Sequence, residues 1–332
     1  MAANQLIRRA GIEFVVAVGG GGVIEMTKGL ALVSGNDSEP WEYSEELQGR
    51  DKAKAVQCPS LPVVISPTSP NSAELRRNAY VIFQHDTAFQ LSPLESSIQV
   101  ALVDPKVFLT LPNRALLTSV ESVLAHCIEC YTSVYANGDV KECALLGIRY
   151  VLETVSRMEQ NSRLDLAAAS TIAAGSLCSS AAMGVQSVGL SRSVALATVG
   201  RYKIAYNTVL SSVWLPFLRL TVDKLEEQDN EAADRLLDEF HAVKRLIAPS
   251  PSDELSLLDA FENIKQRIWN SLQVDEPPSS LNDEDFTGAD FERIASAAET
   301  EHNTLGNPVM SNALNNDVRI TRNDILETLK EC

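Results

Sequence analysis

The chain has 332 residues, 45% of them apolar, which is enough to bury one large core or two ordinary ones. Its formal net charge of −16 disfavours nucleic acid and anionic membranes as partners, because both are themselves negatively charged. Six cysteines are too few for a disulfide framework in a chain of this length, and neither a secretory signal nor a membrane-spanning apolar run is recognised, so we expect a cytoplasmic protein with reduced thiols.

The first part of the chain, residues 1–108, predicts an α/β domain. A helix over Val23–Leu32 follows the first predicted strand. Residues 36–60 are polar and interrupted by proline, which predicts a loop with at most one short helix. Short apolar runs predict the strands Phe14–Val18, Val63–Ser66, Ala79–Phe83 and Gln99–Val103.

The rest of the chain, residues 109–332, predicts an all-helical domain. Segments rich in Ala, Leu and Val have helical spacing at Leu116–Ala136, Val140–Gln160, Asp165–Met183, Val185–Ala197 and Asn207–Asp223. An α/β part followed by an all-α part predicts two domains with a cleft between them.

The last third of the chain is more polar. Residues 223–239 predict an acidic, amphipathic helix with a solvated face. Surface loops rich in Pro, Ser and Asp are predicted at 248–253 and 276–290. Two short helices are predicted at Phe291–Glu299 and Ile320–Leu329, and Thr321 is the expected N-cap of the second.

Four consecutive glycines, Gly19–Gly22, stand between the first predicted strand and the helix that follows it. Glycine lets the backbone approach an anion closely, and the free N–H groups of a helix N-terminus point at such an anion. The segment therefore predicts a phosphate site, with a tight turn of purely structural role as the alternative. A dinucleotide fold normally has further parallel strands beside such a turn, whereas only one short helix and one strand precede it here.

Several short motifs follow one another in the order found in one enzyme superfamily. Ala17–Glu25 resembles its Gly-Gly-Gly-Ser-x-x-Asp turn, Pro67–Glu74 its Pro-Thr-Thr…Gly-Ser-Glu loop, and Leu124–Glu129 its His-Ala-Ile-Glu signature helix. Weaker matches follow at Val103–Pro105, Leu109–Pro112, Leu215–Pro216, Asn307–Pro308 and Arg319–Thr321. The chain thus resembles the iron-containing alcohol dehydrogenase and dehydroquinate synthase-like superfamily over nearly its whole length. The short spacing in the second loop is similar to that of the maleylacetate reductase branch.

The resemblance implies a Rossmann-like N-terminal domain over 1–108 and an all-helical domain over 109–332, with NAD or NADP and the substrate meeting in the cleft between them. The family's opening βα units, which carry much of the adenine and ribose contact, have no counterpart in this sequence. We therefore expect an N-terminally shortened nucleotide-binding domain. The implied cofactor-binding residues are Gly19, Gly20, Gly21, Gly22, Glu25, Thr68 and Ser69.

In the metal-dependent members of this superfamily, one Asp and three His hold a divalent ion. The resemblance places these four positions, which are also the candidate catalytic positions, at Ser122, His126, Ser193 and Asn207. Typical catalytic metal sites use three or more His, Cys or carboxylate ligands, and one imidazole with three neutral groups does not hold a divalent cation tightly. We therefore expect a protein that works without a metal.

His126 is the best candidate for a general acid, or for a hydrogen-bond donor to a substrate carbonyl. The alternative is a buried histidine satisfied by Ser122 or Glu129 on its own helix face. Cys127 and Cys130 have the spacing of metal ligands, but no second Cys or His pair is near in sequence. We expect both thiols to pack in the core, with a metal or redox role as the alternative.

Arg192, Arg201 and Tyr206 are the candidate substrate-binding residues, because guanidinium groups bind a carboxylate well. The alternative for this cluster is a solvated loop. Taken together, the sequence indicates a metal-independent, NAD(P)H-dependent oxidoreductase similar to maleylacetate reductase, which acts on a small carbonyl or enone substrate. A non-redox isomerase, cyclase or lyase and a catalytically inactive binding protein are the alternatives. We expect a small-molecule substrate and neither nucleic acid nor membrane as a partner, and leave a homodimer open.

Overall fold

The structure is a computed structural model. It describes residues 2–36, 38–43, 54–70, 80–84, 87–91, 98–134, 136–161, 163–185, 189–202, 204–249, 255–274, 281, 286–304 and 320–332. Among these, residues 2, 80–84, 87–91, 185, 201 and 300–304 are described by their backbone alone. Of the predicted segments, the second half of Pro67–Glu74, most of the loops at 248–253 and 276–290, and Asn307–Pro308 lie outside the described residues.

The strands all lie in the first part of the described chain. They are β1 (Val15–Gly19), β2 (Val63–Pro67), β3 (Tyr80–Gln84), β4 (Thr87–Leu91) and β5 (Ile98–Ala101). Strands β1, β2 and β5 form a parallel sheet in the order β1-β2-β5, with Val15 paired to Val63 and Val63 paired to Ile98. Strands β3 and β4 form an antiparallel hairpin.

Helices make up most of the described chain after β5. The helices are α1 (Ala2–Ala10), α2 (Gly21–Gly35), α3 (Pro105–Phe108), α4 (Asn113–Tyr131), α5 (Gly138–Asn161), α6 (Leu166–Val185), α7 (Leu190–Tyr202), α8 (Tyr206–Glu226), α9 (Glu231–Ile247), α10 (Leu257–Leu272), α11 (Gly288–Thr304) and α12 (Arg322–Glu331). A single 3₁₀ turn over Pro40–Tyr43 lies in the predicted loop of the first part. The fold class predicted from the sequence, α/β followed by all-α, is confirmed.

The small parallel sheet is covered on one face. Helix α2 packs there, and the core between them contains Ala17, Ile24 and Ile65, all nearly fully buried. On the opposite face Val16 and Val18 of β1 are 55% and 63% exposed. Parallel sheets are normally covered on both faces, so this apolar face is unusual, and no helix in the described part of the chain lies over it.

The core of the helical part is built around α4. This helix packs against α5, α6, α8 and α10, and nearly every residue from Leu116 to Ile128 is buried. A helix that is buried on all sides must be mostly apolar, yet α4 carries Ser119, Glu121, Ser122 and His126 in its interior. Buried polar groups need partners, and the partners of these residues define the site described below.

The boundaries of several predicted elements require correction. Strand β4 and helix α10 were not predicted, and the acidic segment 223–239 is not a single helix. Helix α8 ends at Glu226 and α9 begins at Glu231, because the Asn230 side chain accepts hydrogen bonds from the first N–H groups of α9. Thr321 is the N-cap of α12, as predicted, in a reciprocal capping box with Asp324. The domain boundary at 108/109 stays a prediction.

One helix contradicts the expectation that no apolar run is long enough to span a membrane. Leu166–Gly184 has a mean hydropathy of 1.4, and 56% of it is buried in the fold. It packs against α3, α4 and α5. Length and composition alone do not separate a core helix from a membrane span, and the packing of this segment is that of a core helix.

Candidate active site

The glycine turn joins β1 to α2 as predicted from the sequence. Helix α2 begins at Gly21, and its N-cap Gly20 has an extended backbone and no side-chain cap. The first N–H groups of a helix lack intrahelical partners and carry the positive end of the helix dipole. A Cβ added to Gly22 would meet no atom within 4 Å, so this end of the helix has room for an anion.

The second predicted cofactor loop lies beside the glycine turn. The backbone N–H of Thr68 donates a 3.0 Å hydrogen bond to the Gly19 carbonyl. A Cβ on Gly20 would lie 3.9 Å from Ser69 Oγ. The structure therefore brings together Gly19, Gly20, Thr68 and Ser69, which are far apart in sequence, and this arrangement fits a pyrophosphate group.

A buried ion pair lies in the first turns of α2. Glu25, a predicted cofactor residue, has its Oε1 atom 3.3 Å from Nζ of Lys28, whose side chain is 1% exposed. Lys28 was not predicted as part of the site, although its spacing of three residues from an acidic side chain on a helix is a recognisable signal. The pair is neutral as a whole, so the Glu25 carboxylate balances the charge of the buried Lys28 ammonium group.

His126 is fully buried in the middle of α4, and its partner is a residue from a distant part of the chain. Its Nε2 atom lies 2.9 Å from Tyr206 Oη, at the first residue of α8. The two rings are close to parallel, with centroids 6.1 Å apart and an angle of 23° between their planes. Tyr206, predicted to bind substrate, is thus joined directly to the candidate general acid.

The other predicted catalytic positions lie on α4, α7 and α8. Ser122 lies one turn before His126 and is buried, as is Ser193 in α7. Asn207, next to Tyr206, donates a 3.3 Å hydrogen bond to Ser119 Oγ. The described donor set at these positions is one imidazole, two hydroxyls and one amide. It lacks the carboxylate and the further imidazoles that a divalent metal needs, so it does not fit a tightly held catalytic metal.

Glu129, three residues after His126, holds the start of α7. Its Oε1 atom accepts a 3.0 Å hydrogen bond from the Ser191 backbone N–H. Burial raises the pKa of Glu129 to about 7, although hydrogen bonds from Ser191 and Gly189 and the nearby charge of Arg192 act in the opposite direction. Arg192 itself is 3% exposed, so it does not belong to a solvated loop.

Arg201 is the remaining predicted substrate-binding residue. Its backbone belongs to the last turn of α7, and its side chain lies outside the described residues. Its role stays a prediction.

A second buried carboxylate, Glu121, ties three helices together. It accepts hydrogen bonds from Ser211 Oγ of α8 and from the indole N–H of Trp269 in α10. Lys265 Nζ donates a 2.7 Å bond to the Ser211 carbonyl and lies over the rings of Trp214 and Trp269. Burial raises the pKa of Glu121 and lowers that of Lys265. This network was not predicted, since its members are separated by up to 148 residues.

The two cysteines of α4 pack in the core. Cys127 and Cys130 are both fully buried, and a Cβ on Gly147 would lie only 2.3 Å from Cys127 Sγ. Burial raises the pKa of Cys127 to about 12, which makes it a poor nucleophile and a poor metal ligand. Within the part of the chain that the structure describes, no three His, Cys, Asp or Glu side chains are grouped as a metal site.

The sequence matches two profiles of one enzyme family. Residues 1–105 match the profile described as iron-containing alcohol dehydrogenase. Residues 116–331 match the profile described as the C-terminal part of the Fe-containing alcohol dehydrogenase family.

Individual relatives are distant in sequence. The chain is 26% identical over 153 residues to alcohol dehydrogenase 4 of Saccharomyces cerevisiae, an alignment covering 46% of this chain and 38% of the yeast protein. It is 20% identical over 303 residues to a choline dehydrogenase of Bacillus subtilis, covering 85% of this chain and 74% of that protein. The match to the yeast enzyme therefore spans well under half of that enzyme's length.

Solved structures share the fold. An archaeal halo-thermophilic alcohol dehydrogenase from a Red Sea brine pool superposes with a TM-score of 0.81 at 18% identity, covering 99% of this chain and 79% of that one. An NADH-dependent butanol dehydrogenase from Thermotoga maritima gives a TM-score of 0.76 at 19% identity, covering 99% and 78%. At this identity the likeness establishes the fold alone.

Proposed function

Because the chain belongs to the iron-containing alcohol dehydrogenase family, we propose that it is a nicotinamide-dependent oxidoreductase that moves its catalytic proton through His126 and Tyr206 without a metal ion. The observation that carries this proposal is the 2.9 Å contact between His126 Nε2 and Tyr206 Oη. Relatives named as alcohol and hydroxy-acid dehydrogenases support the reaction class.

The N-terminus of α2 is the proposed seat of the cofactor's pyrophosphate. The backbone N–H groups after Gly20 would bind the phosphate oxygens, and Thr68 and Ser69 lie on the other side of the turn. A reduced NAD or NADP bound there supplies the hydride. The positive end of the helix dipole favours the negative charge of the phosphates.

The proton comes from the His126–Tyr206 pair. Reduction of a carbonyl leaves negative charge on its oxygen, and a positioned hydroxyl can donate a proton to that oxygen as the charge develops. Tyr206 Oη is the proposed donor, and His126, doubly protonated at the start of the step, returns a proton from Nε2 to the tyrosine oxygen and is left as neutral imidazole, which takes up a proton from water before the next turnover. The hydrogen bond between Asn207 and Ser119 holds the start of α8 against α4 and so fixes the position of Tyr206.

Metal independence follows from the donor set of this site. In the proposal Ser122, Ser193 and Asn207 line the reaction space as neutral groups, and none of them supplies negative charge to a cation. The proposed substrate is a small carbonyl or enone compound. If that substrate carries a carboxylate, as the resemblance to maleylacetate reductase implies, Arg192 provides the positive charge that binds it. A reducing, cytoplasmic setting is proposed from the free state of all six cysteines.

The test is turnover by protein from which metal has been removed. Protein dialysed against a chelator is mixed with NADH or NADPH and a panel of short aldehydes, enones and 2-oxo acids. We expect nicotinamide oxidation with at least one substrate, unchanged by added zinc or iron. Tyr206→Phe should lower kcat by about 10²–10⁴, the usual contribution of a general acid. Tyr150→Phe, a tyrosine of α5 outside the site, is the matched control and should keep full activity.

Three outcomes would overturn the proposal. Activity that returns only when zinc or iron is added would show that a metal is required. Full activity in Tyr206→Phe would remove the proton role. Saturable binding of a carbonyl compound with no binding of either nicotinamide at millimolar concentration would favour the non-redox alternative.

A further inference from the structure

A cavity of about 40 Å³ lies inside the helical part, on a different face of α4 from His126. Ala125, Ile128 and Thr132 of α4 line one side of it, and His126 is not among its lining residues. The opposite wall comes from α8 and α9. The reaction described above makes no use of this space.

The walls of the cavity combine aromatic rings with one charged group. Trp214 and Phe217 of α8 and Phe240 of α9 contribute the rings. Glu129 is the only charged side chain among the lining residues, and Ser191 lies beside it. Aromatic faces attract cations, and a carboxylate accepts strong hydrogen bonds from an ammonium group.

One oxygen of Glu129 lacks a partner. Its Oε1 atom accepts the hydrogen bond from Ser191, whereas Oε2 is inaccessible to solvent and has no hydrogen-bond partner among the described residues. A group inside the cavity does not reach an oxygen without accessible surface, so it is the charge of the carboxylate and the accessible part of the partly exposed Glu129 side chain that a ligand in the cavity would meet. Arg192 of α7 is the charged group near this carboxylate. Its positive charge lowers the pKa of Glu129 by less than burial of the carboxylate raises it.

We propose that this cavity binds a small organic cation, a short alkylammonium ion, with its charged group beside the Glu129 carboxylate and its alkyl part against Trp214 and Phe217. The size of the cavity limits the ligand. A water-sized group occupies roughly 10–15 Å³ on this scale, so about 40 Å³ holds about three non-hydrogen atoms. Ethylammonium has that size, and ethanol is its uncharged counterpart of nearly the same shape.

The experiment titrates the full chain with ethylammonium chloride and follows tryptophan emission. Trp214 lies in the cavity wall and acts as the reporter, and sodium chloride at equal ionic strength is the reference. We expect a saturable change at about pH 8, and an affinity lower by about tenfold at about pH 6, because the protonated carboxyl has lost its charge. Ethanol should bind at least tenfold more weakly than ethylammonium at about pH 8.

Matched variants separate the site from general charge effects. Glu129→Gln keeps the shape and an oxygen for Ser191 but removes the charge, and it should weaken ethylammonium binding at least tenfold. Glu153→Gln changes an exposed carboxylate of α5 in the same way and should bind like the unaltered chain. Thermal unfolding of each variant checks that the fold is kept, and Phe217→Leu should weaken binding to an intermediate degree.

Several results would overturn the inference. They are equal affinities for ethylammonium and ethanol, unchanged binding in Glu129→Gln, an affinity independent of pH between about 6 and 8, or no saturable signal at all. The readout is binding without turnover, so a negative result here leaves the oxidoreductase proposal untouched, and failure of that proposal leaves this one standing.

Discussion

Replacing Glu129 by Gln should stabilise the fold above neutral pH and leave it nearly unchanged in acid. Burial raises the pKa of Glu129 from its ordinary value of 4.5 to about 7. As the pH rises between these values, the carboxyl ionises in the unfolded chain and stays protonated in the folded one, so folded stability falls. Each pH unit corresponds to about 1.4 kcal/mol, which gives a limit of about 3 kcal/mol above pH 7.

Denaturant unfolding at about pH 4 and about pH 8 measures this effect. Glu129→Gln should gain about 1–3 kcal/mol over the unaltered chain at the higher pH, with little difference at the lower one. In this variant the oxygen of the side-chain amide can still accept the hydrogen bond from the backbone N–H of Ser191. Glu153→Gln, the control, removes an exposed carboxylate that pairs with Arg157, and it should change stability by no more than the roughly 0–1 kcal/mol of a surface ion pair. A loss of stability in Glu129→Gln that is equal at both pH values would refute the reasoning, since it would mean that ionisation of Glu129 costs the fold nothing.

Two further predictions concern glycines. Gly189→Ala should lower the free energy of unfolding by about 1–3 kcal/mol, because the added Cβ would lie 2.4 Å from Glu129 Cδ and displace that carboxylate. Gly288→Ala is the control and should leave stability unchanged, because its added Cβ would meet no atom within 4 Å. Equal unfolding curves for the two variants would contradict this prediction. Gly20→Leu should abolish NADH binding in a fluorescence titration, because its side chain would occupy the space proposed for the phosphates, and thermal unfolding of the variant checks that the fold is kept. Retained binding in that variant would place the nucleotide elsewhere.

Local patterns in the sequence were sufficient for most of the fold. The apolar run ending at Gly19 predicts a strand and the apolar stretch around Leu124 predicts a helix, because the length and spacing of apolar residues differ between the two kinds of element. Helix α10 was missed despite its capping box at Ser256 and apolar residues at helical spacing, so in that case the signal was present. Strand β4 is only five residues long and lies between polar residues, so its sequence shows no distinctive pattern. It is a strand because it pairs with β3.

The candidate site depends on contacts that no local pattern contains. Sequence comparison found His126 and Tyr206 separately, but they are 80 residues apart and meet only because α8 begins beside the middle of α4. The sequence suggests Glu129 as one of two residues that could satisfy a buried His126 on their shared helix face. In the structure the Oε1 atom of Glu129 accepts a hydrogen bond from the backbone N–H of Ser191, 62 residues away. This contact depends on how α7 packs near α4, and no local pattern predicts it.

A double-mutant cycle on kcat tests the central claim most directly. Metal-free protein carrying His126→Asn, Tyr206→Phe or both is assayed with NADH and the best carbonyl substrate. If the two side chains form one proton-donating unit, each single change should lower kcat by about 10²–10⁴, and the double change should cost no more than the larger single loss. Losses that multiply, or single variants with unaltered kcat, would contradict the account.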